Sequence, residues 1–298
     1  MRDLTERGLT KSDIRELLGD DNSSPKRSLG QNFLVDPSFA GKVARACIGS
    51  ETGTIIEIGP GFGSLTLHLV TMVEHLVAIE KDDAVASKLS KLCADRSVSN
   101  VTIINRDALE INYSEMMATF DSKAIVGNLP YNISVPLILR VIAESSGVVE
   151  RACFMVQKEV AERLNCDPGG RNSSFTSLKR GFYATSRILF DVPPTVFFPE
   201  PNVTSAIIEF QSDRSLPGFT QSAAVEAALR LAKVAFGNRR QMLRRTLKDY
   251  LEVLLAAGVD ETARPEALDL DGWLSIGIAA VEGGLSLSNP SIELKGDL

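Results

Sequence analysis

The residues best suited to chemistry are Asn128, Leu129, Pro130 and Tyr131, which follow directly on a short apolar run. The side-chain carbonyl of Asn128 and the backbone carbonyl of Leu129 can both accept hydrogen bonds from an sp² amino group. An aromatic amine is a poor nucleophile because its lone pair is delocalised into the ring, and two acceptors would draw its nitrogen toward tetrahedral geometry. Pro130 stiffens the turn, and Tyr131 offers a face on which a base can stack. The four residues therefore predict reaction at a nucleobase amine without a histidine base.

A glycine-rich loop, Glu57-Ile58-Gly59-Pro60-Gly61-Phe62-Gly63, follows an earlier apolar run. Glycine allows a tight turn and a close approach of a ligand to the backbone. The spacing GxGxG differs from the GxGxxG of the dinucleotide-binding fingerprint. Glu80 ends the next apolar run, where a carboxylate can accept hydrogen bonds from both hydroxyls of a ribose. Together, the loop and Glu80 predict a ligand that contains a nucleoside.

Asp107 follows the third apolar run and can accept a hydrogen bond from an adenine amino group. Short apolar runs alternate with helical patterns along this part of the chain, which is typical of a mostly parallel sheet covered on both faces. Ligands of such sheets bind at the carboxyl ends of the strands. The predicted strands are residues 54–58, 75–80, 101–105, 123–127, 152–157, 187–192 and 205–210. Examples of the predicted helices are residues 64–73 and 85–95.

The chain is predicted to divide near residue 215, where residues 211–221 contain Pro217 and Gly218. Beyond that point the pattern is helical, with helices expected over residues 223–237, 240–258 and 266–282. The predicted organisation is a leader, a catalytic α/β domain, a small all-helical domain and a mobile tail: residues 1–25, 26–215, 216–282 and 283–298. The leader itself is expected to be flexible, with a short helix over residues 11–18.

Charge is segregated along the chain. The net charge is −6, which argues against binding nucleic acid through the whole surface. Residues 233–248 nevertheless carry six basic and no acidic residues, which leaves −12 on the remainder. A local basic patch is therefore expected in the helical domain, at Arg239, Arg240, Arg244 and Arg245. The absence of an apolar run long enough for a bilayer, the lack of a secretory signal and four scattered cysteines favour a cytoplasmic protein with reduced thiols.

Taken together, these motifs resemble those of the ribosomal RNA adenine N6,N6-dimethyltransferase family, whose bacterial members act on small-subunit rRNA. The resemblance extends from about Lys26 to about Ala280. Its segments are Lys26-Arg27 followed by GQNFL (30–34), EIGPGFGSLT (57–66), Glu80, RDAL (106–109), NLPYNIS (128–134), QKEVAERL (157–164), FFPEPNVTSAI (197–207) and AFGNRRQMLRRTL (235–247).

The resemblance implies a Rossmann-like seven-stranded methyltransferase fold with a small C-terminal helical domain. It also implies S-adenosylmethionine (AdoMet) as methyl donor, no metal, and contacts to AdoMet from Asn32, Leu34, Gly59, Gly61, Glu80, Asp107 and Asn128. Phe197 matches an aromatic residue that the family places near the target base, opposite Tyr131. The expected substrate is 16S rRNA in the immature small subunit, dimethylated at two adjacent adenosines near its 3′ end. The protein is expected to act as a monomer away from membranes, during ribosome biogenesis.

The chain departs from the family pattern at residues 172–178, where NSSFTSL replaces the usual Tyr-Gly and Leu-Ser. Three alternatives remain at this stage. Erythromycin-resistance methyltransferases modify an adenosine of large-subunit rRNA, but they usually have Ile at the position of Leu129. A non-catalytic RNA-binding assembly factor would not need the complete set of Gly-loop, Glu80, Asp107 and NLPY elements. An NAD-dependent oxidoreductase would be expected to have the GxGxxG spacing.

Overall fold

A computed structural model gives the fold of the chain and describes residues 8–19, 32–50, 53–122, 124–145, 149–212 and 214–284. The chain forms two compact units. The first comprises Met1–Ala161 and Ser186–Gln211, and the second comprises Glu162–Thr185 and Ser212–Leu298. The helical unit thus includes residues 162–185, which the boundary predicted near residue 215 had assigned to the catalytic domain. The reason is packing, since Leu178 and Phe182 are buried in the same apolar cluster as Trp273.

The first unit is built on a seven-stranded, mostly parallel sheet, as the sequence predicted, and the structure gives its strand order as β4-β3-β2-β5-β6-β9-β7. Neighbours from β4 to β6 are parallel, and β9 runs antiparallel to β6. A two-stranded antiparallel ribbon joins β1 to β8. The strands are β1 (Phe33–Leu34), β2 (Thr54–Ile58), β3 (His75–Glu80), β4 (Val101–Asn105), β5 (Ala124–Asn128), β6 (Arg151–Gln157), β7 (Thr185–Val192), β8 (Phe197–Phe198) and β9 (Ser205–Gln211).

The central strands are apolar on both faces because helices cover both sides of a parallel sheet. Ile55 and Ile56 on β2 are adjacent in sequence, so they point to opposite faces, and both are fully buried. The register aligns the carboxyl ends of the strands, with Ile58 opposite both Ile79 and Gly127. The residues that follow β2, β3, β4 and β5 consequently meet at one edge of the sheet.

Helices fill the connections between strands and form the second unit. They are α1 (Lys11–Leu18), α2 (Pro37–Ile48), α3 (Thr66–Leu69), α4 (Asp83–Asp95), α5 (Tyr113–Phe120), α6 (Ser134–Glu144), α7 (Lys158–Asn165), α8 (Phe175–Tyr183), α9 (Pro217–Thr220), α10 (Ser222–Gly237), α11 (Leu243–Thr246), α12 (Leu251–Ala256) and α13 (Leu270–Glu282).

Two helices predicted from the sequence are shorter in the structure. The helix expected over residues 64–73 is reduced to α3. Beyond it, the side-chain amide of Asn100 donates hydrogen bonds to the carbonyls of Val70 and Val73, at 2.9 and 3.0 Å. The helix expected over residues 240–258 is broken into α11 and α12 by a 3₁₀ turn. At the start of α11, the backbone N–H of Leu243 donates to the Ala263 carbonyl, outside the helix.

The helix predicted over residues 11–18 is present as α1, begun by a capping box between Thr10 and Asp13. Its surroundings differ from the flexible leader that the sequence suggested. Leu9 and Ile14 are buried in a cluster with Phe33, Phe62, Leu67 and Val85, so residues 8–19 are an integral part of the first unit. The rest of the leader, and the tail beyond residue 284, lie outside the described residues.

Candidate active site

A cavity of about 230 Å³ lies at the carboxyl edge of the parallel strands in the first unit. It is lined by the residues that follow β2, β3, β4 and β5, together with residues 32–34 of the β1 segment. The cavity thus brings together all seven residues that the sequence assigned to AdoMet: Asn32, Leu34, Gly59, Gly61, Glu80, Asp107 and Asn128. Asn128, Leu129, Pro130 and Tyr131 all line the same space.

Glu80 joins the end of β3 to the glycine-rich loop. One carboxylate oxygen, Oε2, accepts the Gly61 N–H at 3.1 Å, and the other accepts the Asp82 N–H at 2.9 Å. The side chain is only 8% exposed, and burial raises its pKa above the ordinary value although both N–H groups oppose the rise. Gly59 and Gly61 have φ values of +70° and +57°, a region that glycine adopts without strain. The loop and the carboxylate therefore form one preorganised unit.

Asp107 lies at the cavity with both of its carboxylate oxygens engaged. Oδ1 accepts the N–H of Leu109 at 2.9 Å, and Oδ2 lies 2.5 Å from Nζ of Lys81. Burial alone would raise the pKa of Asp107, but the Lys81 ammonium and the Leu109 N–H outweigh it and lower the pKa. The carboxylate is thus held charged beside the cavity. Its bond to an adenine amine stays a prediction, in which Lys81 would have to share Oδ2.

Asn128 has an amide orientation that follows from its partner. Nδ2 donates to the backbone carbonyl of Asn32 at 3.1 Å, and because a carbonyl can only accept, the amide nitrogen must face it. Oδ1 then remains as the acceptor that the sequence argument requires. The same bond links the NLPY turn to the β1 segment, which lies 96 residues earlier in the chain.

The two aromatic residues assigned to the target base have different environments. Tyr131 is half-buried and lines the cavity, and its hydroxyl lies 2.7 Å from Oγ of Ser205. Phe197 is 2% exposed, packs in the core beside Leu34, and is absent from the described lining of the cavity. The role of Phe197 near the base stays a prediction. Its neighbour Phe198, which the sequence analysis did not assign to the site, is partly exposed and lies beneath Lys11 and Arg15.

Glu57 is a buried carboxyl group whose role the sequence analysis did not recognise. It is fully buried and lines the cavity, and its Oε2 accepts the Thr66 hydroxyl at 2.7 Å. Oε1 has no hydrogen-bond partner within the structure, and burial raises the pKa of Glu57 to about 8. The signal was available in the sequence, because Glu57 is the only charged residue in the run TIIEI.

These features fit AdoMet. The ribose of the cofactor offers two hydroxyls to a carboxylate, its adenine offers an amine, and its methionine end carries an ammonium group next to a sulfonium. The cavity supplies Glu80, Asp107 and the unpartnered Oε1 of Glu57 for such donors and cations. A Cβ on Gly59 would lie 3.3 Å from the Asn128 carbonyl, so glycine keeps the floor of the cavity open.

A second cleft lies in the helical unit and is basic. It is lined by Arg171, Asn172, Arg239, Arg240, Arg264 and Glu266. Arg239 donates through Nη2 to the carbonyl of Arg171 at 3.2 Å. Two of the four arginines predicted to bind RNA are therefore in this cleft. The other two are not among its lining residues, and Arg244 lies 3.9 Å from Glu261.

Arg171 and Arg264 could not be predicted as part of this cleft, because they lie outside the basic segment in sequence. Asn172 of the cleft begins the stretch that departs from the family pattern. Among the described residues, no group of three or more His, Cys, Asp or Glu side chains could hold a metal ion. In the same part of the chain, every helix is too short or too polar to cross a bilayer.

Comparison with known proteins gives a consistent result. The model of the family described as ribosomal RNA adenine dimethylase matches residues 22–276. A protein of Acidothermus cellulolyticus named ribosomal RNA small subunit methyltransferase A is 38% identical over 279 residues, covering 90% of this chain and 93% of its own. A Mycobacterium avium protein of the same name is 35% identical, covering 92% of this chain and 88% of its own.

Solved structures show the same fold at lower identity. A dimethyladenosine transferase from Plasmodium falciparum superposes with a TM-score of 0.71 at 22% identity, covering 85% of this chain and 98% of its own. The 23S rRNA methyltransferase ErmE gives a TM-score of 0.59, also at 22% identity, covering 83% of this chain and 98% of its own. At this level of identity, both likenesses concern the fold alone.

Proposed function

The chain belongs to the ribosomal RNA adenine dimethylase family, and on that premise we propose how its two sites carry out the reaction. The protein is an AdoMet-dependent methyltransferase that dimethylates adenosines of small-subunit rRNA. We propose that the targets are two adjacent adenosines near the 3′ end of 16S rRNA. We further propose that the substrate is the immature subunit in the cytoplasm, and that one copy of the chain suffices.

The observation that carries the proposal is the orientation of Asn128. Its amide nitrogen is committed to the Asn32 carbonyl, so Oδ1 is fixed as an acceptor at the cavity that Glu80 and the glycine-rich loop also line. An acceptor next to a nucleoside pocket is what transfer to an adenine amine requires. Oδ1 and the Leu129 carbonyl would each accept a hydrogen bond from the amine, and these bonds would localise the lone pair on its nitrogen. Such an arrangement acts mainly in the transition state.

AdoMet supplies the methyl group as an electrophile when bound. Glu80 would hold the ribose hydroxyls, and Asp107 would accept the adenine amine of the cofactor. Gly59 and Gly61 would let the backbone approach it, while Asn32 and Leu34 would close over it. We assign Glu57 to the methionine end, where a bound cation would lower the raised pKa of its carboxyl group. None of these roles requires a metal ion.

The target adenine must leave its stack to reach this cavity, as in other enzymes that modify bases. The adenine would stack on the ring of Tyr131, and Phe197 is proposed to lie against the other face of the base. Phosphates of the rRNA would be bound by four arginines, Arg239, Arg240, Arg244 and Arg245. The first two would contribute more to RNA affinity, because they line the cleft. Positioning of the substrate is thus assigned to one unit and chemistry to the other.

The direct test is transfer of tritiated methyl groups from AdoMet. Small subunits that lack the modification should accept close to four methyl groups each, two on each adenosine. Naked large-subunit RNA should accept none. Labelling of the large-subunit RNA alone would instead favour the erythromycin-resistance type of activity, to which ErmE is structurally similar.

A further inference from the structure

Three hydrogen bonds hold the NLPY turn in the absence of substrate, two at its backbone and one at the Tyr131 hydroxyl. The Ile133 N–H donates to the Pro130 carbonyl at 3.2 Å and closes the turn. Oγ of Ser134 donates to the Tyr131 carbonyl at 3.2 Å and fixes the backbone of the tyrosine. These two bonds leave the ring of Tyr131 free to rotate about its side-chain torsions, unless something holds its far end.

Ser205 holds that far end. Its Oγ and the Tyr131 hydroxyl are 2.7 Å apart and share a hydrogen bond, although the two residues are 74 positions apart in the chain. Ser205 is fully buried, and its backbone is paired with Gln157 at the start of β9. A hydroxyl on a buried sheet strand is a rigid anchor, because neither its backbone nor its rotamer has room to move.

The bond restricts the ring at the place where orientation matters. Tyr131 lines the cavity together with Asn128, so the tilt of its ring sets the plane in which a stacked base would present its amine to the acceptors. Burial raises the pKa of Tyr131, and the Ser205 hydroxyl only partly offsets this, so the phenol stays protonated at neutral pH. Either hydroxyl can then donate to the other, and the bond persists across the working range.

We propose that Ser205 is a positioning residue for methyl transfer: its hydroxyl orients the Tyr131 ring so that the target adenine stacks with its amine in line with Asn128. The proposal rests on the proposed function, because it takes Tyr131 as the stacking platform. It adds a residue from β9, a strand that lies outside the parallel part of the sheet and has no residue among those described as lining the cavity. Ser205 acts through Tyr131 and need not touch the substrate.

The test is a double-mutant cycle of Ser205→Ala, Tyr131→Phe and the double variant. Tyr131→Phe keeps the ring and removes the bond from the other side, so it remains informative if Ser205→Ala folds poorly. Single-turnover methylation of small subunits is measured at saturating AdoMet and RNA. Each single variant should be about fivefold to tenfold slower than wild type, and the double variant no slower than the slower single. The dissociation constants of AdoMet and of RNA should stay within twofold.

Ser122→Ala is the matched control. Ser122 is another fully buried serine of the same unit, and its hydroxyl donates to the Ala124 carbonyl at 3.0 Å, at the opposite end of β5 from the cavity. Its rate should equal that of wild type, even if its melting temperature falls as much as that of Ser205→Ala. Such a result separates positioning from loss of stability.

Three outcomes overturn the inference. Ser205→Ala could react at the wild-type rate. Tyr131→Phe could be slow while Ser205→Ala is not, which would mean that the phenol contacts the substrate itself. The two defects could also multiply in the double variant, which would mean that they are independent. A wild-type protein that methylates no small subunit would count against the proposed function instead.

Discussion

The cavity of the first unit and the cleft of the second differ in the charge and the burial of the residues that line them. The cavity is lined by three carboxyl groups, Glu57, Glu80 and Asp107, and the first two have raised pKa values because they are buried. The cleft is lined by four arginines, all exposed. A small cationic cofactor suits the cavity, and a long polyanion suits the cleft. A net charge of −6 is therefore compatible with an enzyme that acts on RNA, since the proposed cofactor and the proposed RNA would bind at different sites.

Because we propose that methyl transfer takes place in the cavity, the largest loss of activity is expected from a substitution there. Asn128→Ala should lower single-turnover methylation at saturating AdoMet by at least a hundredfold, about 2.7 kcal/mol. In the proposed mechanism, Oδ1 acts on the amine mainly in the transition state. RNA affinity, measured by filter binding, should change less than threefold. Near wild-type turnover would show that NLPY is only a turn.

Asn128→Asp gives a finer test of the same site. The carboxylate keeps an acceptor, but it cannot donate to the Asn32 carbonyl as the amide does. Activity should therefore lie between those of wild type and the alanine variant. If the aspartate variant is as inactive as the alanine variant, the bond to Asn32 matters more than the acceptor.

The next effect concerns cofactor affinity. Glu80→Ala should weaken AdoMet binding at least tenfold in calorimetric titration. It would remove the proposed charge-assisted bonds to the ribose, each worth roughly 1.5–3 kcal/mol, and it also releases the Gly61 N–H. Since burial raises the pKa of Glu80, wild-type affinity should begin to fall at a higher pH than for an ordinary glutamate as the solution is acidified.

Glu80→Gln is the control for that pH effect. Acidification should weaken AdoMet binding less in this variant than in wild type, because a glutamine amide does not titrate. An AdoMet dissociation constant that is unchanged in Glu80→Ala would remove the cofactor assignment. It would also remove the contrast between the cavity and the cleft.

The cleft should show a smaller effect, limited to RNA. Replacing Arg239 and Arg240 by glutamine should weaken binding to the small subunit about tenfold at 0.15 M salt and reduce the salt slope by roughly 1.5, as expected when two phosphate contacts are lost. The matched control replaces Arg244 and Arg245, which keeps the change in net charge identical. It should weaken binding less, because Arg244 lies close to Glu261.

AdoMet affinity should be unchanged in both arginine pairs. Equal losses in the two pairs would mean that the basic segment acts as a uniform charged surface, and the cleft would have no special role. Loss of RNA binding in neither pair would indicate that these arginines only keep the helical unit solvated.

The smallest expected effect is on stability and comes from Glu57. Its pKa is about 8 in the folded protein and close to its ordinary value of 4.5 when unfolded. Between these values the folded state binds the extra proton, so this group lowers stability as the pH rises from about 4.5 to 8, after which the loss is complete. Glu57→Gln keeps an acceptor for the Thr66 hydroxyl and carries no titrating proton. It should melt several degrees above wild type at pH 9 and show a smaller difference at pH 5.

Measuring both proteins by calorimetry at the two pH values cancels the contributions of all other groups. A difference in melting temperature that does not change between pH 5 and pH 9 would contradict the raised pKa. The cavity would then be better solvated than its geometry implies.

The sequence was sufficient for the sheet and for most of the cavity, because both depend on local patterns. A short, mostly apolar run such as residues 54–58, followed by a helical pattern, indicates a strand covered on both faces, and the polar residues after successive parallel strands meet at one edge. The NLPY turn directly follows one of these runs, so its position at the same edge of the sheet could be predicted as well. Such features do not require knowledge of distant contacts.

Contacts between distant segments could not be inferred in the same way. The bond from Asn128 to Asn32 and the cleft formed by Arg171 with Arg239 both join residues far apart in sequence. The broken helix at residues 240–258 shows the same limit, since the Ala263 carbonyl takes the N–H of Leu243. Propensity favours a continuous helix there, and tertiary hydrogen bonds override it.

The position of α1 has a consequence for the order of events during synthesis. A helix of eight residues is marginal by itself in water, and α1 is stabilised by contacts with Phe62, Val85 and Phe198. At roughly 5–20 residues per second, about 10–40 s separate the emergence of α1 from that of Phe198. The contact of α1 with Phe198 thus forms long after its contacts with Phe62 and Val85 have become possible. A nascent chain therefore carries α1, which packs in one cluster with the cavity residue Phe33, without its full set of contacts until more than half of it has been made.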